Sequence, residues 1–368
     1  MTTSPADSQR IDFCTTDDGV RIAFAVSGSG PPLVKTAHWM SHLQYDWDSP
    51  VWRPWLAFLS RHRTLVRFDP RGCGLSERDV DEVSQAAWAS DLDAVVDAVG
   101  LKRYELLGMS QGGPVAIAHA ARHPGRIERL VLYGSYARGR ENRGLPPSEK
   151  TATRAMRELI RSGWGRPNPA FRQLFTSLFL PGGSDEQVQW FNELQRTSAT
   201  PDMAARIVEA CDDLDVTAAA RAVRVPTLVL HASGDARIPE TEGRLLASLI
   251  PGARFVELAS DNHVLLESEP AWATFTAEVS AFQGVARPRP PRPAPTSDAI
   301  ASLTRREHDV LELLQHGLTN KAIARRLGLR PKTVRNYVSL VLSKLGAATR
   351  TEAVAIAFGA SRADADVP

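Results

Sequence analysis

The sequence has no apolar run approaching the roughly 18 to 20 residues that cross a bilayer. Residues 1 to 10 hold no apolar core of the kind a secretory signal needs, so the expected compartment is the cytoplasm, with no membrane partner. Cysteine is scarce. Cys14, Cys73 and Cys211 are an odd three, widely spaced and without a C-x-x-C pair, which indicates neither a disulfide framework nor a zinc site. A glycine-rich phosphate loop and a metal-ligand cluster are also missing from the pattern, so no cofactor and no metal are expected.

What is present is globular composition: 368 residues, 43% hydrophobic and 23% charged, enough for one large domain and a small one. The net charge of +2 conceals an asymmetry. Residues 299 to 350 carry ten Lys/Arg against three acids, whereas residues 1 to 285 carry 30 basic and 35 acidic side chains. A basic module on a mildly acidic body suggests a polyanionic partner for the small part alone.

The boundary between the two is a spacer over residues 286–298, with five prolines and three arginines between Ala286 and Ser297. Prolines cannot donate backbone hydrogen bonds, so this stretch should run as a semi-rigid connector. Ahead of it, after an N-terminus (1–10) expected to be disordered, lies a domain over 11–285. Short apolar runs at Leu33–Thr36, Thr64–Phe68, Tyr104–Leu107, Arg129–Tyr133, Thr227–Leu230 and Arg254–Leu258 alternate there with helix-length segments. The fold class is therefore α/β, a mainly parallel sheet covered by helices. Ile11–Thr16 and Arg21–Val26, joined across Asp17-Asp18-Gly19, read instead as an edge hairpin. A mostly helical insertion over about 137–220 is expected to cover the site.

After the strand Tyr104–Leu107 comes Gly108-Met109-Ser110-Gln111-Gly112-Gly113, and then an Ala-rich helix. A nucleophilic serine on a tight strand-to-helix turn needs glycines two residues to either side to relieve crowding. Its hydroxyl also needs a histidine to take the proton and an acid to orient that histidine. Asp235 lies in the turn beyond the strand Thr227–Ser233, and His263 follows the strand Arg254–Leu258. The order Ser110, Asp235, His263 suits a triad on such a sheet. Asp213, Asp215 and Asp261 read as solvated loop charges.

With Phe68-Asp69-Pro70-Arg71-Gly72-Cys73-Gly74-Leu75-Ser76, similar to a D-x-R-G-x-G-x-S loop, these motifs resemble the α/β-hydrolase family with a helical cap. The resemblance implies that two backbone N–H groups hold an oxyanion: that of Gln111, after the nucleophile, and that of Trp39, in the loop after the third strand. The family usually has His-Gly before the second donor, where this chain has Ala37-His38. Trp39, Trp47, Trp52 and Trp55 are expected mostly in packing, with one or two lining an apolar pocket.

The basic module (299–368) shows successive helix signals. Thr304-Arg305-Arg306-Glu307 is a capping box for a helix closed by Gly317, Thr319 caps Asn320 to Leu327, and Pro331 opens Lys332 to Leu345. This is a helix-turn-helix arrangement. On the third helix Val334, Val338, Val341 and Leu345 recur on one face, opposite Lys332, Arg335, Asn336, Ser339 and Ser343. That polar stripe suits a major groove, while Lys321, Arg330 and Lys344 suit phosphates. The stretch closely resembles the LuxR-type DNA-binding domain through Leu303-Thr304, Gly317-Leu318-Thr319-Asn320-Lys321 and Lys332-Thr333-Val334-Arg335-Asn336. Arg330 replaces a usual capping Ser, and Tyr337 a frequent His. The resemblance implies a double-stranded DNA partner, met by Thr319, Asn320, Lys321, Arg330, Lys332, Thr333, Val334, Arg335, Asn336, Ser339 and Lys344, and a homodimer formed through a last helix, Arg350 to Phe358, behind a second capping box at Thr349 to Glu352.

Together the two parts suggest a regulator of transcription whose hydrolase-like domain senses a small apolar ester, lactone or ketone under the cap. The alternative is a serine hydrolase of esterase or lactonase type with an accessory DNA-binding domain.

Overall fold

The computed structural model describes residues 8–285 and 303–345, with residues 350, 353, 354 and 357. The chain divides into two compact units, Met1–Val285 and Ala286–Pro368. The expected spacer and the capping box Thr349–Glu352 lie outside the described residues, as does most of the expected last helix.

In the first unit an eight-stranded sheet runs in the order β1-β2-β4-β3-β5-β6-β7-β8. Strands β1 (Gln9–Thr15) and β2 (Arg21–Gly28) form the expected hairpin. It starts two residues inside the segment expected to be disordered, because Gln9 and Arg10 pair with Ser27 and Val26. From β4 (Thr64–Phe68) and β3 (Pro32–Lys35) onward the pairing is parallel through β5 (Tyr104–Met109), β6 (Ile127–Tyr133), β7 (Thr227–Ala232) and β8 (Arg254–Leu258). Strands β5 and β7 are buried at every position, as the unbroken apolar runs of a doubly covered sheet require.

Helices α1 (Leu43–Trp47), α2 (Trp52–Ser60), α3 (Gln85–Ala98) and α4 (Gly112–Arg122) lie in the first half of the unit. Between β6 and β7 the chain leaves the sheet for a helical excursion: α5 (Pro147–Gly163), α6 (Ala170–Phe179), α7 (Asp185–Ser198), α8 (Pro201–Asp212) and α9 (Thr217–Ala222). Its neck is pinned where Gly139 N–H donates to the Leu214 carbonyl at 2.7 Å and Val216 N–H to the Ala137 carbonyl at 2.9 Å. Helices α10 (Glu240–Leu249) and α11 (Pro270–Phe282) complete the unit.

The second unit has three described helices: Arg305–Gln315, Asn320–Leu327 and Pro331–Lys344. The Thr304–Glu307 capping box is formed, and Gly317 (φ 72°) and Gly328 (φ 66°) take the left-handed conformation that ends a helix. Val310, Leu314, Ile323 and Val334 form one buried cluster, while Leu311, Val341 and Leu345 belong to another.

Candidate functional site

Ser110 sits at the C-terminal end of β5 with φ 51°, one of two non-glycine residues with positive φ among the described residues; the other is Met40. Such a turn brings three chain segments together. A Cβ on Gly108 would lie 2.8 Å from Ala116 Cβ, and one on Gly112 would lie 2.3 Å from Thr36 Oγ1. Those close approaches are the physical reason for glycine on both sides of the serine. Ser110 N–H donates to the Tyr133 carbonyl at 3.0 Å, and Ser135 Oγ donates to the Ser110 carbonyl at 3.1 Å, so the strained residue is held from β6.

Asp235 and His263 come together beyond β7 and β8. His263 Nδ1 lies 2.6 Å from Asp235 Oδ2, and Asp235 Oδ1 accepts from the N–H groups of Arg237 (2.8 Å) and Ile238 (2.9 Å). Burial alone would raise the Asp235 carboxyl. The His263 charge and hydrogen bond, the Ile238 N–H and His231 outweigh it and hold the group below the usual carboxylate range. Glu269 organises the histidine loop, accepting from Ser260 Oγ, Asn262 Nδ2 and Leu266 N–H. The loop is also fixed to the cap, where Val264 N–H donates to the Phe179 carbonyl at 3.1 Å.

A depressed carboxyl stabilises the fold above its unfolded value and loses that contribution as pH falls through its lower folded value. Thermal melting of the wild-type chain should therefore fall more steeply between about pH 5 and pH 3 than that of Asp235→Asn. Parallel melting curves would contradict this.

Ser110 and His263 line one nearly closed cavity of about 10 Å³ with His38, Trp39, Phe179 and Phe191. His263 Nε2 has no hydrogen-bond partner among the described residues, so the bond from Ser110 Oγ is not closed. Trp39 and Gln111 are buried beside it, and neither backbone N–H is taken up by a hydrogen bond among the described residues. The loop carrying Trp39 is anchored by buried Asp69, which accepts from Ser41 Oγ (2.8 Å), Leu43 N–H (3.1 Å) and Leu75 N–H (2.9 Å). This is the structural work of the Asp69–Ser76 motif.

Sequence reasoning put His38 in the oxyanion loop without foreseeing its ring in the cavity, and it did not place Phe179, Phe191 or Glu269 at the site. The two phenylalanines come from the cap, which carries no motif. His38 fills the position beside the loop turn, its ring 4.1 Å from that of Trp52, and its Nδ1 lies 2.8 Å from Lys35 Nζ. Burial, then Lys35, pushes His38 well below its ordinary value, so the imidazole is neutral. With Lys35 as donor, the proton sits on Nε2, which has no partner among the described residues. Away from the cavity, Asp93, His119 and His123 place one ligand atom each within 4.8 Å of one another, though Arg122 also engages Asp93.

In the second unit Lys321, Arg330, Lys332, Arg335, Asn336 and Ser339 are exposed. Thr333 and Asn320 are half-buried. Thr319 spends its hydroxyl capping its own helix, accepting from Ala322 N–H at 3.3 Å. Two sequence assignments are corrected. Val334 is fully buried in the domain core, as its place on the apolar face of the helix requires, and it cannot reach a base. Lys344 donates to Glu307 Oε2 at 2.7 Å, so its charge is engaged within the domain. That bond and the Thr304 N–H hold the Glu307 carboxyl down at about 2.

With this geometry in place, comparison with known proteins is direct. Residues 45–209 match the model of the alpha/beta hydrolase fold, and residues 301–357 match that of bacterial regulatory proteins of the luxR family. The chain is 30% identical over 215 residues to a 2-hydroxymuconate semialdehyde hydrolase of Pseudomonas putida, covering 53% of this chain and 68% of that one. It is 26% identical over 253 residues to a pyrrolizixenacetamide deacetylase of Xenorhabdus hominickii, covering 67% and 90%. Among solved structures, a hydrolase from Pseudomonas aeruginosa PA01 superposes with TM-score 0.62 at 26% identity, covering 75% of this chain and 98% of that one. An esterase from Rhodococcus sp. ECU1013 does so with TM-score 0.60 at 26% identity, covering 75% and 98%. The chain belongs to the alpha/beta hydrolase family. Fused to that domain is a LuxR-type helix-turn-helix domain, the DNA-binding module of a family of bacterial regulators.

Proposed function

We propose that the chain is a ligand-responsive transcriptional regulator that binds operator DNA as a homodimer and receives a small apolar ester, lactone or ketone in the Ser110 cavity. The observation that carries this reading is the union, in one polypeptide, of a serine-equipped cavity with a helix exposing Lys332, Arg335 and Asn336. A reading helix has no use in simple metabolism, whereas a catalytic fold is a ready ligand pocket. Ser110, Asp235 and His263 are the reactive set, with the Trp39 and Gln111 amides as oxyanion donors. The cavity has room for little more than one water, about 10 Å³, so admitting a small guest requires the cap side chains Phe179 and Phe191 to shift. Arg335 and Asn336 read base edges, Ser339 and Thr333 flank them, and Lys321, Arg330, Lys332 and the Thr319–Asn320 helix start meet phosphates.

The second reading, a serine hydrolase with an accessory DNA-binding domain, is favoured by the Asp235–His263 bond and by relatives that are themselves hydrolases.

A thermal-shift screen of small carbonyl compounds tests the sensor reading, since a molecule that prefers the folded pocket raises its melting temperature. A stabilising compound that also shifts DNA affinity supports the regulator. A compound turned over with no change in DNA affinity supports the hydrolase.

A further inference from the structure

A second cleft in the hydrolase-fold unit, of about 530 Å³ and open to solvent, lies where the segment after β6, helix α5 and the turn after β7 meet. Its lining is strongly cationic: Arg138, Arg140 and Arg143 follow β6, and Arg237 follows the Asp235 turn. Arg138 and Arg143 share Glu242, at 2.8 and 3.9 Å. Arg140 and Arg237 have no carboxylate within ion-pair distance among the described residues. The Arg237 charge, and then burial, push the Arg140 guanidinium down to about 10. Asp212 pulls the other way but is itself bound to Arg157 at 2.9 Å.

A guanidinium stays protonated at any physiological pH, so two of them lining one cleft without a carboxylate partner repel one another at a cost to the fold. An oxyanion between them would turn that repulsion into charge-assisted hydrogen bonds, for which the planar arginine fork is suited. The remaining wall is mixed: Leu145, Met156 and Leu178 supply an apolar patch, beside Thr153, Thr241 and the exposed carboxylate of Glu149.

We propose that this cleft binds a small organic anion, a carboxylate or a phosphate monoester, with its charged end between Arg140 and Arg237 and its apolar body on Leu145, Met156 and Leu178. The site adjoins the Ser110 cavity. Arg237 lies 5.7 Å from the centre of the Phe179 ring, and Phe179 packs edge-on against His263 at 5.2 Å. An anion holding Arg237 is therefore one aromatic ring away from the Asp235–His263 pair. The inference stands apart from the regulatory reading, since it requires only the hydrolase-fold unit.

The test is the melting temperature of the full chain at constant ionic strength with phenyl phosphate, with benzoate, and with sodium chloride as the matched control. At least one organic anion should give a saturable rise that Arg140→Gln and Arg237→Gln both lose, and which probe acts separates the phosphate source from the carboxylate source. Without any probe, Arg140→Gln should melt at or above the wild-type temperature, because it removes a like-charge repulsion. Three results overturn the proposal: no response beyond the chloride control, glutamine variants that respond as the wild type does, or an Arg140→Gln chain that melts lower and so reveals a structural arginine.

Discussion

Turnover of p-nitrophenyl acetate by the wild-type chain should fall by about 10,000-fold or more in Ser110→Ala, while ligand control of DNA binding persists. The first half follows from the turn: Ser110 is the one hydroxyl held at φ 51° in the cavity that His263 lines, and Asp235 orients His263 from 2.6 Å. Alanine adds no bulk at that turn, so the variant should keep its fold and its cavity. The second half follows from treating the cavity as a receptor, in which occupancy does the signalling. Retained turnover would mean that another nucleophile acts. A variant that binds ligand yet loses the DNA response would place a covalent step inside the switch.

The other large effect belongs to the third helix of the small domain. Arg335→Ala and Asn336→Ala should each cost about 1 to 3 kcal/mol of discrimination at one base position, because a bidentate contact to a base edge is worth that much. Both side chains are exposed on the face opposite buried Val334. Lys332→Ala should behave differently, weakening all sequences alike and reducing the salt slope by about one. Fluorescence anisotropy on duplexes enriched from a random library, repeated at several salt concentrations, separates the two patterns. Equal losses on all sequences for all three variants would contradict base reading by this helix.

The sequence made much of this legible, for identifiable reasons. Strands such as β4 and β8 could be placed to the residue because short β-branched runs between turn residues have few alternatives. Ser110 was findable because its glycines answer a local steric demand, and Asp235 and His263 because chain order along a parallel sheet fixes which strand ends face the serine. His38, Phe179 and Phe191 could not be read in this way. The phenylalanines depend on how a cap without a repeating motif packs over the sheet, and the His38 ring on how Lys35 and Trp52 meet it, which is tertiary information. Lys344 shows the converse limit: a cation near a reading helix looks like a phosphate ligand until Glu307, 37 residues earlier in the chain, is seen to hold it. Arg140 and Arg237 are likewise far apart in sequence, and only the neck of the cap brings their charges together.

The central claim is tested most directly by titrating the intact protein onto an enriched duplex, with and without a compound that stabilises the hydrolase-fold unit. Tight binding is expected at 50 mM salt, weakening linearly on a log–log salt plot, with at least a five-fold change in affinity when the compound is present. Duplex affinity no greater than that of a Lys332→Ala, Arg335→Ala, Asn336→Ala triple variant, or affinity indifferent to a compound known to occupy the cavity, would contradict it.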